Sequence, residues 1–394
     1  MTSDRTLRGK AAIVGVGDTP IGRYPGHSQF AMHAEAAMAA IADAGLSLSD
    51  IDGVLSAHSN TQPQFLHHSM SLSEYMGIKP SYTAMMRLGG ATHCAMVEHA
   101  AAAIAAGVCE TVLCVSADPQ LSGMSRNAAV AQMAEVGHPQ YEFPFGVHIP
   151  ALYALAANRY AHEYRDPTPG MAQLAVSQRK HASLNPNAFL RDPMTLDDYH
   201  NAKLIADPLR LYDCAVIADG GGAVIVTSAE RARNLRRPPV YLLGAGEGHT
   251  HRHISQAESL TTFGCKESGR RALEMAQVRV DEIDVAQIYD CFTITVLIEL
   301  EDLGFCEPGE AVDFIGDGKR IEIGGDLPMN THGGLLSQGH PGIPGGMFHI
   351  LEGVRQLRGD CGERQVEAEL ALVHGNGIVL STHVTLVLGL EATL

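Results

Sequence analysis

The stretch Gly334-Leu335-Leu336-Ser337-Gln338-Gly339-His340-Pro341-Gly342 sets a single histidine in a loop rich in glycine and proline. Glycine lets backbone approach a ligand closely, and a ring N–H held in such a loop can stabilise negative charge developing on a reacting oxygen. Tyr289 is the second candidate. It ends the apolar run Ile283-Asp284-Val285-Ala286-Gln287-Ile288 and opens Tyr289-Asp290-Cys291-Phe292. A free phenol has a pKa of about 10. It therefore handles a substrate proton only where neighbours stabilise the phenolate, or where it passes the proton along a relay. The bland alternative for Tyr289 is a core tyrosine with its hydroxyl satisfied. His332 lies upstream of the His340 loop, and Val373-His374-Gly375-Asn376-Gly377 forms a second glycine-rich segment.

Positioning these groups calls for a scaffold, and the surrounding pattern is α/β. Ala11–Gly17 reads as a short buried strand, Phe30–Ala44 as a helix capped by Gly45, and Ile51–Ser56 as the next strand. Ala91–Ala106 is a helix stopped by Gly107, and Thr111–Ser116 is another strand. Alternation of this kind indicates a largely parallel sheet. Residues 120–210 break the rhythm with Tyr141-Glu142-Phe143-Pro144-Phe145, a helix through Tyr153–Tyr164 and another around Met171–Ser183. This is an insertion of the sort that supplies ligand contacts. After the polar linker Glu230–Pro239 the opening pattern recurs: Val240–Gly246 echoes Ala12–Gly17, Leu260–Met275 echoes the first helix, and Ile283–Tyr289 echoes the second strand. The expected organisation is an N-terminal half, residues 1–237, that carries the insertion, and a C-terminal half, residues 238–394.

Size and composition agree with this division. A chain of 394 residues exceeds one ordinary core, and domains of roughly 150–200 residues are expected. The net charge of −16 excludes a general nucleic-acid or acidic-membrane surface. An anionic ligand would need a local basic patch, for which Arg179, Lys180 and Arg191 are candidates against the plainer reading of solvated charges. Eight scattered cysteines without a Cys-x-x-Cys pair imply no disulfides and a reducing cytoplasm. The polar start Met1–Arg5 leads into no apolar signal core, and no 18-residue apolar span follows, so neither a signal peptide nor a membrane span is expected. His249-Thr250-His251-Arg252-His253 has alternating imidazoles but no convincing further ligand, so no metal site is expected. Gly15-Val16-Gly17 lacks the remaining glycine and the distal acid of a dinucleotide fingerprint. Gly220-Gly221-Gly222 reads as close packing at the start of a strand.

Ile205-Ala206-Asp207-Pro208-Leu209-Arg210-Leu211-Tyr212-Asp213-Cys214, then Ala218-Asp219-Gly220-Gly221-Gly222-Ala223, together with Asn185-Pro186-Asn187-Ala188, Tyr289–Phe292 and the His340 loop, form an ordered set. This set resembles the sterol-carrier-protein-type thiolases and lipid-transfer thiolase-like proteins of the thiolase superfamily, over nearly the whole chain. The resemblance implies a thiolase fold: two duplicated α/β halves in a five-layered αβαβα core with an inserted loop domain. It further implies a homodimer, acyl-CoA thioesters as substrates and no bound cofactor. The two cysteines of a thiolase fall at Gly90 and Gly375, which removes ordinary acyl-enzyme thiolysis. These glycines are expected to leave space for a bulky acyl group, with Gly90, Cys94, His332, Gly375 and Gly377 about the substrate. Cys94 lies one helical turn beyond Gly90 and is the alternative nucleophile, for an acetyl-CoA acyltransferase, against a packed core thiol. A non-catalytic acyl-CoA-binding subunit is a further alternative.

Tyr289 in this motif resembles the thiolase-like aldolases that remove side chains from steroid CoA thioesters. Retro-aldol cleavage of a β-hydroxyacyl-CoA needs a base on the hydroxyl and stabilisation of the departing enolate. The resemblance assigns the first role to Tyr289 and the second to His340. Those enzymes carry another tyrosine where Gln338, Ile343 and Pro344 stand here, which leaves the second proton role to His332, His340 or a water. They also require a small partner with a zinc ribbon and an OB fold, so a separate partner chain is expected.

Overall fold

The computed structural model describes residues 6–61 and 66–394; the polar start Met1–Arg5 lies outside the described residues. Nearly continuous apolar runs become the buried central strands, and shorter, partly exposed strands flank them. In chain order these are β1 (Ala11–Asp18), β2 (Gly53–Ser56), β3 (Tyr82–Met85) and β4 (Thr111–Asp118), then a small hairpin of β5 (Leu204–Ala206) and β6 (Leu209–Arg210), then β7 (Gly220–Ser228). After the linker come β8 (Val240–His249), β9 (Val285–Ile288), β10 (Leu370–Gly377) and β11 (Thr382–Gly389).

Nine of these strands form one sheet in the order β3-β2-β4-β7-β1-β8-β11-β10-β9. The middle of that order is a seam, where β1 meets β8 through Ala12↔Tyr241 and Ile13↔Val240. Reading outward from the seam, β1-β7-β4-β2 is matched by β8-β11-β10-β9. Each series has two antiparallel pairings followed by a parallel one. The repeat seen in the sequence is thus a repeat of topology.

The helices complete the layers. In the first wing, α1 (Gln29–Ala44) covers β1 and β7, and α2 (His68–Met76) covers β2 and β3. Inside lies α3 (Thr92–Ala105), packed against β4 and β7 and also against β10 and β11 of the other wing. The insertion supplies α4 (Arg126–Ala134), α5 (Ile149–Glu163), α6 (Thr168–Leu184) and α7 (Leu196–Asn201), and the linker holds the short α8 (Ala229–Ala232). In the second wing α9 (Cys265–Ala276) covers β8 and β11; α10 (Thr293–Asp302), α11 (Ala311–Ile315) and the one-turn α12 (Gly334–Ser337) follow. Finally α13 (Gly345–Arg358) lies beside α3 and touches strands of both wings. The sequence of layers is helix, sheet, paired inner helices, sheet, helix, which is the αβαβα arrangement expected.

The Gly-x-Gly pattern repeated in β1 and β8 has a packing cause. A Cβ at Gly15 would stand 2.2 Å from the Ala40 carbonyl oxygen of α1, and one at Gly244 would stand 2.0 Å from that of Ala272 in α9. Each outer helix therefore rests directly on strand backbone. The expected helix at Leu260–Met275 starts late, at Cys265. Before it, the Asp302 carboxylate accepts from the Thr262 hydroxyl at 2.6 Å and the Phe263 N–H at 2.8 Å, which holds that segment out of the helix. Among the described residues no helix is long and apolar enough to cross a membrane.

Candidate active site

Tyr289 stands one residue beyond β9, with its N–H donating to the His374 carbonyl at 3.1 Å. His340 lies between α12 and α13. Its N–H donates to the Val216 carbonyl at 2.7 Å, and its own carbonyl accepts from Ala218 at 3.2 Å. Two segments far apart in sequence are thereby brought together: Tyr289 Oη lies 3.0 Å from His340 Nε2, with the rings edge to face. The direction of that hydrogen bond follows from the other ring nitrogen. The Gly342 N–H donates to His340 Nδ1 at 2.9 Å, so Nδ1 carries no proton and the neutral ring holds its hydrogen on Nε2. The imidazole therefore donates and the phenol oxygen accepts.

Both groups are neutral at rest. Burial lowers the His340 pKa to about 4, although the Asp290 carboxylate pulls it back upward. Burial also drives the Tyr289 phenol well above its ordinary value, and Cys291, Asp290 and Glu299 add to the rise. Tyr289 keeps its own proton and is 4% exposed. A phenol that keeps its proton at rest suits a relay.

The glycines do not leave the space expected of them. A Cβ at Gly90 would lie 2.1 Å from Tyr289 Cζ and 2.5 Å from its Oη. The phenol ring fills the space that a side chain at position 90 would need. At Gly375 a Cβ would lie 2.9 Å from Ala91 Cα and 3.4 Å from Cys94 Sγ; at Gly377 it would lie 1.8 Å from the Leu88 carbonyl oxygen. Both glycines let β10 lie against the turn that opens α3, and neither opens onto a substrate. Cys94 itself is fully buried, and burial, followed by Glu98, holds its thiol above the ordinary range. This is the environment of a packed core thiol. His332 is also displaced from its expected role. Its ring lies edge-on to His349 at 5.0 Å, its Nδ1 meets Gln287 Oε1 at 3.2 Å, and His349 is the imidazole beside Tyr289, at 5.7 Å between centroids.

Comparison with known proteins bears on what this pair belongs to. Residues 246–390 match the thiolase C-terminal domain-like family. The chain is 38% identical over 368 residues to a steroid side-chain-cleaving aldolase of Thermomonospora curvata, covering 90% of this chain and 91% of that one. It is 37% identical over 391 residues to a 17-hydroxy-3-oxo-4-pregnene-20-carboxyl-CoA lyase of Mycobacterium tuberculosis, covering 95% and 98%. Among solved structures, the Ltp2-ChsH2(DUF35) aldolase superposes with a TM-score of 0.86 at 37% identity, over 98% of this chain and 99% of that one. The chain belongs to the thiolase superfamily. Within that superfamily it is similar to aldolases and lyases at higher identity than to the acetyl-CoA acetyltransferase of Methanothermobacter thermautotrophicus, at 32%.

This thiolase-superfamily site is braced from three sides. Asp290 is fully buried and accepts from the Leu335 N–H at 2.8 Å, the Leu336 N–H at 3.2 Å and His349 Nε2 at 3.2 Å. It thereby ties the Tyr289 segment to α12. The motif Tyr289–Phe292 by itself points to no role for Asp290. A signal was present in Gly334, where a Cβ would lie 2.0 Å from Asp290 Oδ2. The Asp213–Gly220 motif runs between the Tyr289 and His340 segments, pairing Cys214 with Phe292 and Ile217 with His340. Asp213 accepts from the hydroxyls of Tyr199 at 2.7 Å and Thr293 at 2.6 Å.

The insertion was expected to supply ligand contacts, and its helices serve as braces. Tyr153 of α5 stacks on Phe292 at 4.3 Å, and Arg179 of α6 donates to Ser337 Oγ at 2.9 Å. The candidate basic patch is dispersed: Lys180 pairs with Glu322, and Arg191 donates to the Ser183 carbonyl. The alternating histidines also diverge. His249 meets Glu247, His251 meets the Val379 carbonyl, and the His253 ring packs on His138.

Proposed function

We propose that this chain cleaves a carbon–carbon bond in a bulky β-hydroxyacyl-CoA by retro-aldol chemistry, with Tyr289 and His340 at the reacting centre. The observation that carries this reading is the phenol itself, donated to by His340 Nε2 and occupying the space of a side chain at position 90. The reaction moves one proton from the β-hydroxyl to the α-carbon as the bond between the α- and β-carbons breaks. In the relay, the Tyr289 oxygen takes the hydroxyl proton while its own proton passes to the enolate carbon, and a ketone or aldehyde leaves a shortened acyl-CoA. The His340 Nε2–H supports charge on the phenol oxygen and, with the thioester oxygen lodged beside it, on the enolate. Such donors are each worth several kcal/mol where charge develops.

A CoA thioester is the substrate, and the relatives' names favour a steroid-like acyl group. A small separate partner chain belongs to this reading because the similar aldolase structure pairs with ChsH2(DUF35). A homodimer belongs to it as well: β3 ends the sheet with a free edge, and Tyr75 and Met85 are exposed nearby. Eight free thiols fit a reducing cytoplasm.

The test incubates the protein, alone and with the product of an adjacent reading frame, with tertiary β-hydroxyacyl-CoAs of increasing bulk. Ketone and shortened acyl-CoA are then separated by chromatography. Tyr289→Phe is expected to lower kcat by roughly 10²–10⁴ while the fold persists. Undiminished turnover in that variant, or an acyl adduct on Cys94 by mass spectrometry, would overturn the assignment.

A further inference from the structure

Behind the reacting pair, on the far side of β10, four buried side chains from four elements converge. They are Cys265 at the start of α9, Glu299 in α10, His374 in β10 and His383 in β11, and each is fully buried. One ligand atom from each of Cys265, His374 and His383 lies within 4.8 Å of the others. His374 Nε2 and His383 Nδ1 are 3.1 Å apart, and a Glu299 oxygen lies 3.7 Å from the first and 3.9 Å from the second. The Asn376 amide is the further polar neighbour of the Glu299 carboxyl. We infer that Cys265, His374 and His383 form a divalent-cation site of the zinc type, with the Glu299 carboxyl beside the two imidazoles as a charge-balancing neighbour.

Three arguments support the site. The first is protonation. The Ser268 hydroxyl donates to the Cys265 carbonyl at 3.0 Å, so the Thr385 hydroxyl donates to Ser268 at 2.9 Å, and the Thr385 oxygen accepts from His374 Nδ1 at 2.8 Å. That chain leaves a lone pair on His374 Nε2, which accepts from His383 Nδ1 at 3.1 Å until a cation replaces that proton; the Thr385 contact is the outer-shell arrangement that orients a ligating imidazole. The second is geometry. Nitrogens bound about 2.0–2.1 Å from a tetrahedral zinc stand about 3.3 Å apart, close to the separation of the two imidazoles. The third is charge. A divalent cation held by one thiolate and two neutral imidazoles, with the Glu299 carboxylate beside them, is electrically balanced. Binding releases the Cys265 proton to solvent, together with that of Glu299 where it is protonated, so affinity rises with pH.

The site would rivet α9 and α10 to the β10–β11 hairpin, whose His374 carbonyl holds the Tyr289 N–H. Its test is independent of catalysis. Full-length protein produced in zinc- or cobalt-supplemented medium is expected to hold one metal per chain by elemental analysis, and cobalt to show thiolate-to-metal charge transfer. Cys265→Ala and Glu299→Gln are each expected to reduce retained metal at least tenfold, and chelation to lower the Tm of the wild type only. Trace metal in the wild type, or unchanged stoichiometry in Cys265→Ala, would overturn the inference and leave a carboxyl group sharing a proton with the imidazoles. Should the variants fold poorly, X-ray absorption at the zinc edge of the wild type decides, since one sulfur scatterer is required.

Discussion

In the proposed reaction the direction of one hydrogen bond between Tyr289 and His340 governs the proton relay. Because Gly342 occupies Nδ1, the imidazole has a single hydrogen to give, and it gives it to the phenol. The neutral donor form is lost only as pH falls through about 4, and the phenol stays protonated past its ordinary pKa. The rate constant kcat/KM is therefore expected to be flat from about pH 6 to 9, with an acid limb below. An alkaline rise near the pKa of a free phenol, measured across that range, would show a resident phenolate instead.

The contact between Gly90 and the Tyr289 ring gives a second expectation. Gly90→Ala should destabilise by about 1–3 kcal/mol through overpacking, and the same change in a Tyr289→Ala background should cost less by at least about 1 kcal/mol. Chemical denaturation of the four proteins measures this coupling. Additive effects would show that the ring can move aside.

At the scale of elements, α12 and the loop after it owe their place to one carboxylate. Asp290→Asn turns an acceptor of three donors into a group that presents N–H to at least one of them. A loss of about 2–4 kcal/mol in urea unfolding is expected, together with a fall in kcat larger than any rise in KM, because His340 loses its support and not its identity. Unchanged stability would mean that the Asp213–Gly220 segment alone suffices.

Several of these elements were legible beforehand. The His340 loop and Tyr289 stood out because glycine, proline and strand patterns are local signals. The paired α/β halves stood out because their runs repeat in order. The filling of position 90 was not legible, since the ring comes from a residue nearly two hundred positions away. Nor was the convergence of Cys265, Glu299, His374 and His383, which exists only once β10, β11 and two helices are packed. The bracing role of the insertion was not legible either, since the contact of Tyr153 with Phe292 joins residues far apart in sequence; the aromatic stretch Tyr141–Phe145 leaves Tyr141, Phe143 and Phe145 exposed.

Across the whole molecule, buried imidazoles shape the response to acid. Burial lowers the pKa of His68 and His93 to about 3 and of His181 and His340 to about 4, with His33 and His332 shifted the same way. These groups take up protons near pH 6.5 when unfolded but not when folded, so the stability they confer is present above that pH and lost as pH falls toward 4. Asp118 and Asp302, raised to about 6 by burial, and Glu98, raised to about 7, act in the opposite sense and offset part of the loss. The Tm is expected to fall between pH 6.5 and 5 with net proton uptake on unfolding, measurable by calorimetry in buffers of differing ionisation enthalpy. Proton release in that window would reverse the sign.

Each inner helix lies against strands of both wings, while the seam itself is only two residue pairs long. A lone copy of the repeated unit would leave one flank of its inner helix wet. Such a unit could close its core only by embracing a twin, so joining two genes end to end would have made a symmetric pair permanent and freed its two members to diverge. One member now holds the insertion, and the other holds the phenol and the imidazole.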